Sequence, residues 1–358
     1  MSGIFLAAVL DIAADSRAAR ARRRGRRGPL PGRLEQRTIR PSPVFSVLQT
    51  RRVVVLAVML PALAAQVPTA PSARIDRLAA DDRARRDAAT VVPFLQQAAA
   101  GPRVEIEHDG VRLATLMIGP DGWGRSPVAN VAAVAASVAT TLYSAMPPPE
   151  PLTIALMRVP DGPPKALSAR GPKGEYVVQV NTGDLLWAQL SYQLAHELGH
   201  VGCGRPDPSA PQQWLEEAFC EACSIWAMEH MAVTWETSPP YPNWAPYAEH
   251  LRSYAEDVRA TVVRPESYAR WYAEHRARLD AAAGDRALDR VVAEQLFERF
   301  EARPESIRAF SFLRVADPVE NTIEARLRLW REQCPDELEF MPRELATLLG
   351  VSDGGAPR

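Results

Sequence analysis

Tyr192-Gln193-Leu194-Ala195-His196-Glu197-Leu198-Gly199-His200, followed by Trp214-Leu215-Glu216-Glu217-Ala218-Phe219-Cys220-Glu221, is the stretch around which this chain is arranged. The first part reads H-E-x-x-H. On a helix, positions i and i+4 lie one above the other on one face. His196 and His200 can therefore aim their imidazoles at one point, which suits a single Zn²⁺. Glu197 sits beside them, placed to act as general base on a metal-bound water. A catalytic zinc normally has three protein ligands and one open position. Glu217 is the expected third ligand, after sixteen intervening residues. That gap is enough to end one helix, turn, and begin a second against it. Glu216 is the rival ligand, but it points about 100° away on a helix, so only one of the two can face the metal. Glu221, one turn beyond Glu217, is placed to accept the second N–H of a ligating histidine.

These residues resemble the gluzincin metallopeptidases, the thermolysin-like and aminopeptidase-like families, which pair H-E-x-x-H with a glutamate on the following helix. Their W-L-x-E-[GA]-[FL] context is matched by Trp214-Leu215-Glu216-Glu217-Ala218-Phe219, and the carboxylate four residues past the ligand by Glu221. The resemblance covers roughly 185–228. The spacer is shorter than in those families, and the G-x-M-E-N substrate anchor of aminopeptidases is absent from the sequence. The resemblance implies peptide-bond hydrolysis and an oxyanion donor, usually a Tyr or His, downstream of the third ligand. Tyr241, Tyr247, His250, Tyr254 and Tyr268 are the candidates, and spacing does not choose among them.

The chain has 358 residues, enough for a sizeable core. Its net charge of −1 gives no global field to attract nucleic acid or an anionic membrane. Lys165 and Lys173 are its only lysines; with abundant Ala and Pro, this Arg bias suggests a GC-rich genome. Cys203, Cys220, Cys223 and Cys334 are an even number, which fits disulfides in an exported protein. A bridge from Cys203 to Cys220 or Cys223 would staple the two metal helices together. Four buried thiols, or Cys203 as a fourth ligand closing the site, are the alternatives.

Arg17 to Arg40 is packed with arginine and reads as disordered, within an extension over 1–50 that a misassigned start codon would explain. Arg51-Arg52 then precedes an apolar run from Val53 to Ala65, with Ala62-Leu63-Ala64 at cleavage spacing. That is the order of a secretory signal peptide, and the run is too short to span a bilayer comfortably. Export to a bacterial periplasm or medium is the expectation. A linker and helical segment occupies 66–100.

Val104 to His108 alternates, Asp109-Gly110 turns, and Val111 to Ile118 resumes, a hairpin signal. Ala129 to Ser144 reads as a buried helix, without the purity of a membrane span. Leu152 to Val159 and Tyr176 to Asn181 read as strands, and the resemblance to zincins implies that one of them is an edge strand along a cleft, where an extended peptide could add. Gly162 to Gly174 reads as a mobile rim. Asp184 to Val201 and Gln212 to Met231 are the two metal helices. Ser238 to Tyr247 is a substrate-contacting loop or a surface connector with anchoring aromatics. Helices are expected over Tyr247–Thr261, Pro265–Ala283, Arg286–Ala302, Glu305–Arg314, Val319–Gln333 and Glu337–Leu349.

The fold class expected is α+β and mostly helical. A zincin-like catalytic subdomain with a small N-terminal β-sheet spans 101–235, and a helical subdomain spans 236–358. The function expected is an exported zinc-dependent peptidase acting on peptides or proteins; the competing expectation is a non-catalytic protein whose zinc is structural.

Overall fold

A computed structural model of the chain describes residues 89, 91–204, 212–281, 284–313 and 320–352. The arginine-rich extension and the signal-like segment lie outside the described residues, all of which belong to one unit, Pro68–Arg358.

The sheet begins with a hairpin of β1 (Arg103–His108) and β2 (Val111–Ile118). Its two-residue turn puts Asp109 at φ 50° and Gly110 at φ 76°. Both are left-handed, which Asp-Gly tolerates and most pairs do not. Helix α2 (Val128–Ala145) crosses over to β3 (Leu152–Arg158), which lies parallel to β2. A two-residue strand, β4 (Lys165–Ala166), precedes β5 (Tyr176–Val180). The order is β1-β2-β3-β5-β4, a mixed sheet with β4 at one edge.

Side-chain alternation on the strands divides the core into two layers. Met117, Ala155, Met157 and Val177 point to one face, where α1, a helix over 91–99, brings Val91 and Ala98. On the other side, α2 packs on β1 and β2, and α3 (Trp187–Gly202) packs on β5. By length and composition α2 could cross a membrane, yet its Val131, Val134, Ala135, Val138 and Leu142 are buried here among protein elements. Helix α4 (Gln213–Thr237) follows, and a 3-10 turn (Pro242–Tyr247) leads into α5 (Ala248–Arg259), α6 (Tyr268–Ala281) and α7 (Arg286–Ala302). A 3-10 segment (Pro304–Phe312), α8 (Ile323–Gln333), a short 3-10 turn (Asp336–Leu338) and α9 (Phe340–Leu349) complete the described chain. Helix α4 is the hub, packing on α2, α3, α5 and α7.

Several expectations need correction. Neither Leu152–Val159 nor Tyr176–Asn181 is an edge: β3 lies between β2 and β5, and β5 between β3 and β4. The edge is β4, inside the segment expected to be a loose rim. That segment is tied down by Leu167, whose N–H donates to Val177 O at 2.9 Å, and by Gly171, whose N–H donates to Glu175 O at 2.8 Å. Helix α3 starts at Trp187 rather than Asp184, because Asp184 sits at φ 56° and cannot continue a right-handed helix. Helix α4 runs on to Thr237, six residues past the expected end, carrying the buried Trp235 against Trp244. The expected helix over Glu305–Arg314 is 3-10. All four cysteines are free, buried thiols, so no disulfide staples α3 to α4.

Candidate metal centre

Helix α3 passes over α4 where Gly199 faces Cys220; a Cβ at Gly199 would lie 3.1 Å from the Cys220 Sγ. This close approach lets two side chains of α3 meet three carboxylates of α4. Three side chains converge. His196 Nε2 lies 3.1 Å from one Glu217 oxygen, and His200 Nε2 lies 3.5 Å from the other. A tetrahedral zinc with bonds of about 2.0–2.1 Å spaces its ligands about 3.3–3.4 Å apart, and the two separations, each to a different Glu217 oxygen, lie on either side of that value. Glu217 is also the accessible carboxylate, its side chain 28% exposed against 0% for Glu216 and 2% for Glu221.

The remaining nitrogens are backed by the other two acids. His200 Nδ1 lies 2.5 Å from Glu216 Oε1, and His196 Nδ1 lies 3.6 Å from Glu221 Oε2. Each imidazole thus points Nε2 at the common centre and Nδ1 at a carboxylate, the arrangement that fixes tautomer and ring orientation in metal sites. Glu216 turns away from Glu217 by the helical rotation between neighbours, and the resulting direction leads to His200. Glu221 is itself held, accepting from Tyr192 OH and from Arg290 Nε at 2.6 Å.

Burial disfavours the cationic form of both rings, yet the hydrogen bond to Glu217 and the nearby Glu221 carboxylate raise His196, and the hydrogen bond to Glu216 and the nearby Glu217 carboxylate raise His200. Burial also works against the Glu217 carboxylate, but the two histidines hold it well below the usual carboxylate range. Three carboxylates gathered around two imidazoles favour positive charge between them.

Cys220 Sγ also lies with one nitrogen from each histidine inside a 4.8 Å cluster. It is fully buried at the interhelical contact, and burial pushes its thiol well above the ordinary value. Glu217 fits the open side of the centre and Cys220 the closed side. Cys203 donates from Sγ to the His200 carbonyl at 3.2 Å, at the end of α3.

Glu197 is buried on the flank of the centre that faces β4, and its Oε2 accepts the Ala166 N–H at 2.6 Å. A cavity of about 230 Å³ is lined by His196, Glu217, Glu221, Gly284, Arg286 and Asp289. Burial, then the charges of Glu217, Asp285 and Glu221, raise the Asp289 carboxyl to about 8. Asp289, Arg290 and Tyr192 carry no motif in the sequence, and only the tertiary fold brings them here.

The five candidate oxyanion donors are scattered. Tyr247 is committed elsewhere: its hydroxyl accepts the Ala188 N–H at 3.1 Å and its ring packs on Trp187. Tyr241 packs edge-on against Trp244, and His250 lies against the Tyr247 ring. This segment is a connector anchored by aromatics, with Trp244 and Tyr247 buried. Tyr268 lies among Gln295, Arg264 and Glu298. Tyr254 alone of the five has site residues around it, packing on Tyr192 at 5.5 Å between ring centres and feeling the charges of Arg290 and Glu221.

No protein-family model matches the sequence, and no curated protein does. Among solved structures, the chain is similar to an M1 zinc metallopeptidase from Deinococcus radiodurans, known in an unmutated and a point-mutant form. The TM-scores are 0.31 and 0.32 at 15% identity, covering 72% of this chain and 52% of that one. It is also similar to an aminopeptidase N family protein from Idiomarina loihiensis, with TM-score 0.25, 10% identity, and coverage of 59% and 43%. The chain therefore spans about half the length of the solved structures it matches. None of these likenesses decides what the chain does; its own residues carry the functional conclusion.

Proposed function

We propose that this chain is a metal-dependent hydrolase, and more specifically a zinc peptidase. The observation that carries this is the approach of the two Glu217 oxygens to His196 Nε2 at 3.1 Å and His200 Nε2 at 3.5 Å, with a further carboxylate near the other nitrogen of each ring. His196, His200 and Glu217 would hold the ion. Zinc bound there supplies Lewis acidity, polarising a carbonyl and making a water acidic near neutral pH. Glu197 takes the proton from the attacking water on a carboxylate oxygen and returns it to the leaving amine nitrogen. Glu216 and Glu221 keep the two rings oriented, and Tyr254 is the favoured donor to the developing oxyanion.

Glu197→Gln tests this. It should retain one zinc per chain and lower peptide cleavage by about 10²-fold or more, the usual worth of a positioned base. A variant as active as wild type sinks the assignment. A second reading has its own observation: Cys220 lies close enough to both histidines to close the centre as a structural site. Cobalt substitution separates the two. An open, water-exchangeable spectrum supports the hydrolase, and a thiolate charge-transfer band lost on Cys220→Ala supports the structural site. The signal-like segment over 51–65 supports export as part of the proposal. Recovery of a chain processed near Ala62-Leu63-Ala64 from the exported fraction is the expected result, and an unprocessed intracellular chain contradicts it.

A further inference from the structure

The cavity beside the proposed ligands is lined by three carboxylates, and two of them are already answered. Glu217 faces the two imidazoles, and Glu221 is taken by Tyr192 and by Arg290 at 2.6 Å. Asp289 is different. It is 3% exposed, its Oδ1 has no hydrogen-bond partner, and among the described residues no cation pairs with it. Burying a carboxyl without a partner is costly. The fold nevertheless places it in the first turn of α7, one turn from Arg286, along the cavity wall. A Cβ added at Gly284 would lie 3.7 Å from Glu217 Cγ and 3.8 Å from Asp289 Oδ2, so the two acids flank one opening. Gly284 and Arg286 are exposed and form its solvent side.

The occupant follows from size and charge. One water needs only about 10–15 Å³ of cavity, so 230 Å³ has room for a whole side chain. A second metal ion needs several oxygen ligands, and Glu221 is already committed. An acidic side chain would meet three carboxylates, and a neutral one would leave Asp289 buried and unpaired. A basic side chain answers it. Arg286 does not reverse this preference, because its charge is exposed and screened while that of Asp289 acts in a buried setting. We propose that the cavity is a specificity pocket for a lysine or arginine side chain next to the scissile bond, whose N–H groups donate to Asp289. This rests on the hydrolase reading for the scissile bond, while the pocket itself can be measured without turnover.

The test uses peptides blocked at both ends and identical except for lysine or norleucine, its uncharged counterpart, at one position. Binding is read by calorimetry on the full zinc-loaded chain carrying Glu197→Gln, and cleavage on the chain with Glu197 intact. The lysine peptide should bind roughly 10- to 100-fold tighter, the scale of one charge-assisted hydrogen bond. Cleavage should map beside the lysine. Asp289→Asn, close in size and uncharged, should bring the lysine-to-norleucine ratio near one. If that variant does not fold, Gly284→Val replaces it: its side chain would stand between Glu217 and Asp289, and should weaken the lysine peptide at least tenfold more than an alanine peptide. Equal affinity for lysine and norleucine overturns the pocket, as does a lysine preference that survives Asp289→Asn. So does a preference for a free N-terminus in place of a basic side chain. Cleavage without any basic preference sinks the pocket and leaves the hydrolase standing. Asp289-dependent lysine binding, with no peptide cleaved, sinks the hydrolase and leaves the pocket as a binding site.

Discussion

At the scale of single residues, the centre is defined by which nitrogen faces which acid. The 3.6-residue period made His196, His200, Glu217 and Glu221 legible in the sequence, because one helix turn separates the members of each pair. The role of Glu216 was only half legible: its direction away from Glu217 could be read, but its partner His200 could not. Asp289, Arg290 and Ala166 were not legible at all, since nothing local marks a side chain or amide that matters only through a distant contact. Glu216 lies nearer its imidazole than Glu221 does, 2.5 Å against 3.6 Å. Glu216→Gln should weaken zinc binding by about 10- to 100-fold, and Glu221→Gln by less, measured by competition with a chelating dye. Equal affinity in all three proteins would remove the orienting role. The metal-free protein has a predictable pH response. The folded values of His196 and His200 are raised, to about 10 and about 9. Native protein binds the extra protons, so this stabilisation is complete below about pH 6.5, the unfolded imidazole value, and is lost as pH rises through the folded values. The melting temperature of chelator-treated protein should fall between neutral pH and pH 10, and zinc-loaded protein should resist that fall. A flat metal-free profile would contradict the ion-pair arrangement.

At the scale of elements, the site depends on how closely α3 and α4 approach. Gly199 permits it: an added Cβ would meet Cys220 Sγ at 3.1 Å and its Cα at 3.4 Å. Gly199→Ala should cost about 1–3 kcal/mol of stability through overpacking and should loosen zinc binding. Adding Cys220→Ala should return much of both, as seen by melting and zinc titration. A single variant that binds zinc as tightly as wild type would show that the crossing has slack. Most elements were readable from periodicity, and the α7 limits, Arg286–Ala302, match the expectation at both ends. The edge strand was not, because β4 has only two residues and sits among Pro and Gly, leaving no alternation to detect. The start of α3 was missed for a different reason. Asp184 is left-handed and its Oδ1 accepts the Arg125 N–H at 2.8 Å, a contact between segments far apart in sequence.

At the scale of the whole molecule, the C-terminal helices are structural partners of the metal helices rather than an appendage. Phe219 of α4 stacks on Phe310 at 4.8 Å and meets Trp330 edge-on at 5.2 Å. Arg290 of α7 reaches back to Glu221, which stands behind His196. The sequence divided the chain at 235, yet α4 runs to Thr237 and buries its sides against α3, α5 and α7 alike. Arg290 has a consequence for anyone wishing to transplant this chemistry. Every motif residue lies between Tyr192 and Glu221, so a graft of that segment onto another scaffold would carry all the proposed ligands. It would leave behind the guanidinium that neutralises Glu221. Such a transplant would bury Glu221 without its counterion, and the borrowed imidazole would lose its fixed bearing. The centre is portable only together with the helix that begins 65 residues beyond its last motif residue.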